Sequence, residues 1–142
     1  MVSISDINGN HKPDLLITAP EFNTSSGKYY IFFDYSLDDV SLSDTDADLQ
    51  STTGIEGSLF SKNIVGNGDF NGDGIGDFVI AIPEFSPQQL FLIAGDKDEN
   101  INLVNASVSI ISQETILNKG AELSSSLSLS GDVNGDGFSD LL

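Results

Sequence analysis

The chain contains no cysteine, no tryptophan and no arginine, and it has a single histidine. Without cysteine there is no disulfide framework and no thiolate metal centre. One histidine with no cysteine beside it leaves zinc too few ligands, and His11 reads as an exposed loop residue. Only 5 basic residues stand against 22 acidic ones, giving a formal charge of −17. So acidic a chain lacks the basic footprint that nucleic-acid phosphates require, and anionic membrane surfaces repel it. No apolar run approaches the ~18 residues of a membrane-spanning helix, so no membrane insertion is expected. The opening "MVSISDINGNHKPD" has no basic segment followed by an apolar core, so no signal peptide is expected within it.

What remains is a chain of 142 residues, 39% of them hydrophobic and with mean hydropathy near zero, which fits a folded globular protein. It repeats itself. "DINGNHKPDLLITAPEF" begins at Asp6, "DFNGDGIGDFVIAIPEF" at Asp69 and "DVNGDGFSDLL" at Asp132, two successive steps of 63 residues. Under that shift Asn8, Asn71 and Asn134 coincide, as do Gly9, Gly72 and Gly135, and Asp14, Asp77 and Asp140. Pro20-Glu21-Phe22 falls on Pro83-Glu84-Phe85, and Gly57 on Gly120. Three matches in register with matching flanks mean an internal duplication and a repeat architecture.

Each period reads as strands. "SLFSKNIVG" and "ELSSSLSLS" precede the second and third acidic loops. Leu15 to Ala19 and Phe78 to Ile82 follow loops one and two, then "KYYIFFDY" and "QLFLIAG", rich in aromatic and β-branched residues. Weaker fourth strands fall in "ADLQST" and "SVSII". Both alternating sets of "KYYIFFDY" are apolar, so both faces of that strand are expected to be covered. No stretch has a long helical period; "SQETILNKG" holds one helical turn at most. The expected fold class is all-β: about two four-stranded antiparallel β-propeller blades plus strand remnants. Residues 1–58 form the first blade, with a truncated N-terminal strand; residues 59–121 form the second, and residues 122–142 begin a third repeat. Two blades leave apolar faces uncovered, so the chain is expected to be a fragment of a longer propeller or to self-associate and complete a ring.

The acidic loops place oxygen donors at alternate positions. Counted from the first Asp, loop two offers Asp69, Asn71, Asp73, the Ile75 carbonyl and Asp77; loop three offers Asp132, Asn134, Asp136, the Phe138 carbonyl and Asp140. Calcium takes six to eight hard oxygens at about 2.3–2.6 Å in a forgiving geometry, whereas magnesium demands a stricter octahedron. Glycines at the fourth and sixth positions allow the chain to curl around an ion. A metal-free hairpin turn is the competing account, because Asn-Gly and Asp-Gly favour turns unaided. Loop one is poorer: Asp6, Asn8, Asn10, the Lys12 carbonyl and Asp14, with Asn10 replacing an acid, His11 replacing glycine and Lys12 adding positive charge. The weakest affinity is expected there, and the cofactor is expected to be two to three Ca²⁺. The loops hold 8 of the 22 carboxylates, and three dications would bring the formal charge from −17 to −11.

"FNGDGIGDFVIAIP" and "VNGDGFSDLL" resemble the calcium loops of FG-GAP repeats, found in the β-propeller of integrin α subunits and in bacterial surface proteins. Where that family has Phe-Gly this chain has Phe60-Ser61 and Leu123-Ser124; where it has Gly-Ala-Pro, this chain has Thr18-Ala19-Pro20 and Ala81-Ile82-Pro83. The resemblance implies that each loop joins the first two strands of a blade and that the ion stiffens this hairpin. "DVNGDG" also resembles dockerin loops, but those place a ligand at position 12 and continue into helices, unlike the position-9 acid and strands here. The implied role is non-catalytic: a calcium-binding segment for extracellular or cell-surface adhesion or protein binding, its leader outside this chain. No motif supports an enzyme. The alternative is a glycan-binding propeller; such sites stack sugar on aromatic rings, yet tryptophan is absent and Tyr29, Tyr30 and Tyr35 read as strand residues. A scaffold repeat of a larger surface assembly is a third reading. Asn23-Thr24-Ser25 and Asn105-Ala106-Ser107 match glycosylation acceptors, a pattern frequent by chance.

Overall fold

The computed structural model describes residues 2–19, 22, 28–34, 47–50, 63–82, 89–98, 101, 108–111, 126–129 and 131–142. Its named elements are eight strands: β1 (Val2–Ile4), β2 (Asp14–Ala19), β3 (Lys28–Phe32), β4 (Ala47–Gln50), β5 (Asn63–Gly68), β6 (Asp77–Ile82), β7 (Gln89–Ile93) and β8 (Val108–Ile111). They form two four-stranded sheets, ordered β1-β2-β3-β4 and β5-β6-β7-β8, with every neighbouring pair antiparallel. Each sheet is thus a simple meander of consecutive strands. The segment of the third repeat starts the same way. Ser128 and Leu142 exchange backbone hydrogen bonds at 2.9 Å in each direction, and Gly131 and Asp140 form a bridge.

Register explains the apolar patterning. Leu16 pairs with Ile31 and Leu15 with Phe32, so the two alternating sets of β2 and β3 go to opposite faces. One face of the first sheet (Leu16, Tyr29, Ile31) packs on Phe78, Ile80 and Ile93 of the second in one buried cluster with Ile4 and Ile7. The other face of the second sheet (Val79, Ala81, Leu90, Leu92) meets Leu129, with Leu127 and Leu141, of the third repeat. The opposite face of the first sheet holds Leu15, Tyr30 and Phe32, all buried. Consecutive residues Tyr29 to Phe32 are therefore all buried, as the doubly apolar strand demanded. The expected "KYYIFFDY" strand ends at Phe32, and Phe33–Asp34 turn, because Asp34 takes a left-handed φ of 55°. The two sheets approach most closely along β1 and β5, where Gly66 lies against the Ile4 side chain. This is an all-β chain built of blade-like sheets.

Phe60-Ser61, Leu123-Ser124, Pro20-Glu21, Pro83-Glu84-Phe85, Gly57, Gly120, Tyr35, the "SQETILNKG" segment and both glycosylation triplets lie outside the described residues.

Gly95, just after β7, is held close against backbone of both the first and the second loop. A Cβ there would stand 2.5 Å from the Gly76 carbonyl oxygen and 2.7 Å from that of Ile7, and neither backbone atom can swing aside as a side chain would. Gly95→Ala is expected to lower the stability by ~2 kcal/mol through this overpacking, read as an earlier midpoint in denaturant. An unchanged midpoint would show that this turn does not press the first loop against the second sheet.

Candidate metal loops

Each acidic loop links the first two strands of its unit: loop one joins β1 to β2 and loop two joins β5 to β6. Loop three sits in the corresponding place between Gly131 and Asp140. All three share one hydrogen-bonding scheme. The first carboxylate accepts amides from mid-loop: Asp69 from Gly72 (2.6 Å) and Gly74 (2.9 Å), Asp132 from Gly135 (2.6 Å) and Gly137 (2.8 Å). Asp6 shares the position-6 amide, from His11 (2.5 Å), but takes its other from position 5, Asn10 (3.0 Å). The Asn oxygen at position 3 accepts the position-5 amide: Asn8 from Asn10 at 3.3 Å, Asn71 from Asp73 at 2.9 Å and Asn134 from Asp136 at 2.8 Å. The position-5 side chain in turn accepts the amide of Lys12, Ile75 or Phe138, at 2.8–2.9 Å.

Such curling needs left-handed backbone at two places. Position 4 is Gly9, Gly72 or Gly135, with φ of 74°, 76° and 79°. Position 6 is Gly74 or Gly137, but His11 takes the same conformation in loop one at φ 70°. Histidine is among the side chains that tolerate this region better than most, which is why the loop still closes.

The ninth residue anchors the loop to the sheet. Asp14 Oδ2 accepts the Ile7 amide at 2.8 Å and its Oδ1 the Asp34 amide at 3.1 Å. Asp77 repeats this with Phe70 and Gly95, both at 2.9 Å. Asp140 accepts the Val133 amide at 2.7 Å. Asp14 and Asp77 are both fully buried. Burial pushes the Asp77 carboxyl up to about 6 despite the amides of Gly95 and Phe70 that favour its charge, and Asp73 and Asp69 push in the same direction. Asp14 is raised likewise, chiefly by burial and also by Asp6 and Asp34. Asp132, exposed and held by three loop amides, is lowered.

Neighbouring loops also bond to each other. The Gly76 amide donates to the Asp6 carbonyl at 2.6 Å, and the Ser139 amide to the Asp69 carbonyl at 2.8 Å, the same two loop positions in each case. The side chain at position 7 then lies over the glycine of the preceding loop: Ile75 by Gly9, and Phe138 by Gly72. The sequence alone did not disclose this interlock; the shared spacing of Gly at position 4 and an apolar residue at position 7 was its only trace.

The structure brings the predicted donors into one nine-residue bend in each repeat, but it does not gather their acids at a point. Among the described residues, no three Asp, Glu, His or Cys side chains cluster closely enough to hold a metal ion. The first and fifth side chains turn to loop amides instead, and the Asn71 amide donates to Asp73 Oδ2 at 2.9 Å. The donor chemistry of loops two and three nonetheless fits a hard dication. An ionised carboxylate offers about four acceptor sites, and Asp69 spends two of them on amides. Asp73 and Asp136 are exposed. Loop one fits less well. The Asn10 amide nitrogen donates to Asp34 Oδ1 at 2.5 Å, and Lys12 Nζ contacts Asp34 Oδ2 at 3.1 Å, holding that carboxyl below its usual range.

The raised Asp77 value has a definite sign. The folded chain binds this proton more tightly than the unfolded one, whose reference value is 3.8. The contribution of Asp77 to stability is therefore fully present below 3.8 and is lost as pH rises through about 6. In chelator, carbon-detected NMR of the Asp77 carboxyl is expected to titrate with a midpoint near 6. A midpoint at the ordinary aspartate value of about 3.9 would contradict its burial.

No curated protein matches the chain. Residues 2–32, which span β1, the first acidic loop, β2 and β3, match the FG-GAP repeat family, and the blade-like sheet they begin is the structure that such repeats form.

Proposed function

We propose that the chain is a calcium-binding β-propeller segment that works by binding a partner and not by catalysis. Loops two and three are its main ion sites: Asp69, Asn71, Asp73, the Ile75 carbonyl and Asp77 in one, and Asp132, Asn134, Asp136, the Phe138 carbonyl and Asp140 in the other. The observation that carries this reading is the recurrence, in all three loops, of oxygen side chains on one curled nine-residue scaffold. A turn needs no more than Asn-Gly. In loop two the charges of Asp73 and Asp69 add to the burial that disfavours ionised Asp77, a repulsion that a dication relieves.

When bound, Ca²⁺ supplies charge neutralisation and a rigid link between donors. The chain's own residues do the rest. Asp77 ties the loop to Gly95 after β7, so order imposed on the loop passes into the sheet. The interlocked loops pass it to the next unit. A cell-surface or extracellular setting is proposed from the likeness to FG-GAP repeats, and calcium sites of extracellular modules have Kd of about 10⁻⁴–10⁻³ M.

The partner is proposed to be a protein, bound through loops at one rim. The apolar side chains exposed at the third-repeat end of the stack are to be covered by further blades or by other copies of the chain. Val133 supports this: it is 66% exposed, whereas its equivalent Ile7 is 0% exposed beneath the next unit. A glycan partner has less support. Tyr29 and Tyr30 are buried strand residues and offer no open ring for stacking.

Titration calorimetry with CaCl₂ tests the reading. Asp73→Ala and Asp136→Ala are each expected to remove one calcium equivalent; unchanged stoichiometry refutes the ligand assignment. At a calcium concentration of about 100 Kd each site adds ~2.7 kcal/mol, so chelator is expected to lower the melting temperature. Calcium is also expected to lower the Asp77 midpoint, because a dication favours the ionised carboxylate.

A further inference from the structure

Loop one differs from the other two by more than a missing acid. Four described residues are able to carry positive charge: His11, Lys12, Lys28 and Lys97. Three of them are at loop one. His11 Nδ1 lies 3.9 Å from Asp6 Oδ2, and Lys12 Nζ lies 3.1 Å from Asp34 Oδ2. Lys97, from the turn after β7, packs across the loop so closely that a Cβ on Gly9 would stand 3.2 Å from its Cγ and Cε. Among the described residues no ion pair reaches an acid of loop two or loop three.

The acid that loop one lacks at position 5 is present nearby from another element. Asp34 follows β3, at the place where the second sheet has Gly95: each donates its amide to the ninth-position carboxylate. Its side chain bonds Asn10, the residue that replaced the acid, and Lys12 together. Asn10 is committed at both ends, its Nδ2 to Asp34 and its Oδ1 to the Lys12 amide at 2.9 Å. Loop one therefore matches the other loops in having three acids (Asp6, Asp14, Asp34), but it meets them with cations of its own.

We infer that loop one is neutralised from within. The Lys12 ammonium on Asp34 does there what a dication does in loops two and three, so loop one is ordered without metal and the chain binds two calcium ions. The count of two rests on the calcium reading above; the metal-independent order of loop one does not. Its ammonium groups repel an incoming dication, and the committed Asn10 is not free to ligate one. The consequence is polarity along the stack. The first unit folds its loop unaided and offers the Asp6 carbonyl to Gly76 as a preformed seat for the second.

Two measurements on the intact chain test this. Titration calorimetry with CaCl₂ is expected to give two equivalents for the wild type and three for Asn10→Asp/Lys12→Gln. Amide exchange in chelator is expected to give Asn10 and His11 protection factors about fivefold above those of Gly72, Gly74, Gly135 and Gly137, a difference that Lys12→Gln removes. Three equivalents in the wild type, or two in the double variant, overturn the inference while leaving the calcium reading intact. Absence of any calcium binding sinks the calcium reading, and the exchange result then decides the order of loop one by itself. Equal protection in all three loops overturns it.

Discussion

Everything at this end of the molecule depends on a buried carboxylate that has only backbone amides for company. Asp14 and Asp77 each accept one N–H from the start of their own loop and another from the turn after the third strand of their sheet. Two separate pieces of chain are thereby tied to one side chain. An aliphatic residue in that place would leave two buried amides unbonded, at a cost of about 1–3 kcal/mol each. An asparagine would satisfy only one of them, because its second terminus is a donor. Aspartate is therefore required by the fold itself, before any metal enters the argument. In loop two burial raises the pKa of this acid, and the charges of Asp73 and Asp69 push the same way.

This arrangement places the loops where they meet their neighbours. Once the ninth residue is fixed, the eighth turns its amide to the carbonyl that begins the preceding loop, and the seventh lays its side chain over the preceding glycine. Fixing one loop therefore helps to position the next, and the apolar clusters between the sheets follow the same direction. The face of the first sheet that carries Leu16 and Ile31 docks on the face of the second that carries Phe78 and Ile93. The second sheet then offers its own Val79 and Leu92 to the third repeat. Each unit is thus both receptor and ligand for an identical relation, as repeat architectures require.

Much of this was legible in the sequence, for identifiable reasons. The step of 63 residues fixed which loops correspond, and alternation in "KYYIFFDY" announced a strand covered on both sides. The strands after loops one and two and "QLFLIAG" came within two residues of their observed bounds, whereas "KYYIFFDY" ran three residues too long because Phe33–Asp34 turn. The donor spacing of the loops was also readable, since side-chain oxygens at alternate positions serve both an Asx-rich turn and a metal site. The orientation of those oxygens was not readable. They turn to loop amides and not toward a common centre, because each unpaired amide in so tight a bend competes for the nearest acceptor. Asp34 was also missed: its role comes from tertiary pairing of β2 with β3, 20 residues away from the loop it serves.

The three loops show that one scaffold tolerates more than one way of balancing charge. The backbone scheme is the same in all of them, even where His11 replaces a glycine at positive φ. What varies is the company of the fifth position. An exposed acid there leaves three carboxylates with amides alone, whereas an amide there is joined by an acid from the next turn and a lysine from its own loop. Exposed ion pairs are screened by water and worth little each, so the lysine adds little to overall stability. Its effect is selective and local. It supplies positive charge at a loop whose Asn10 is already committed, whereas among the described residues no ion pair reaches an acid of the other two.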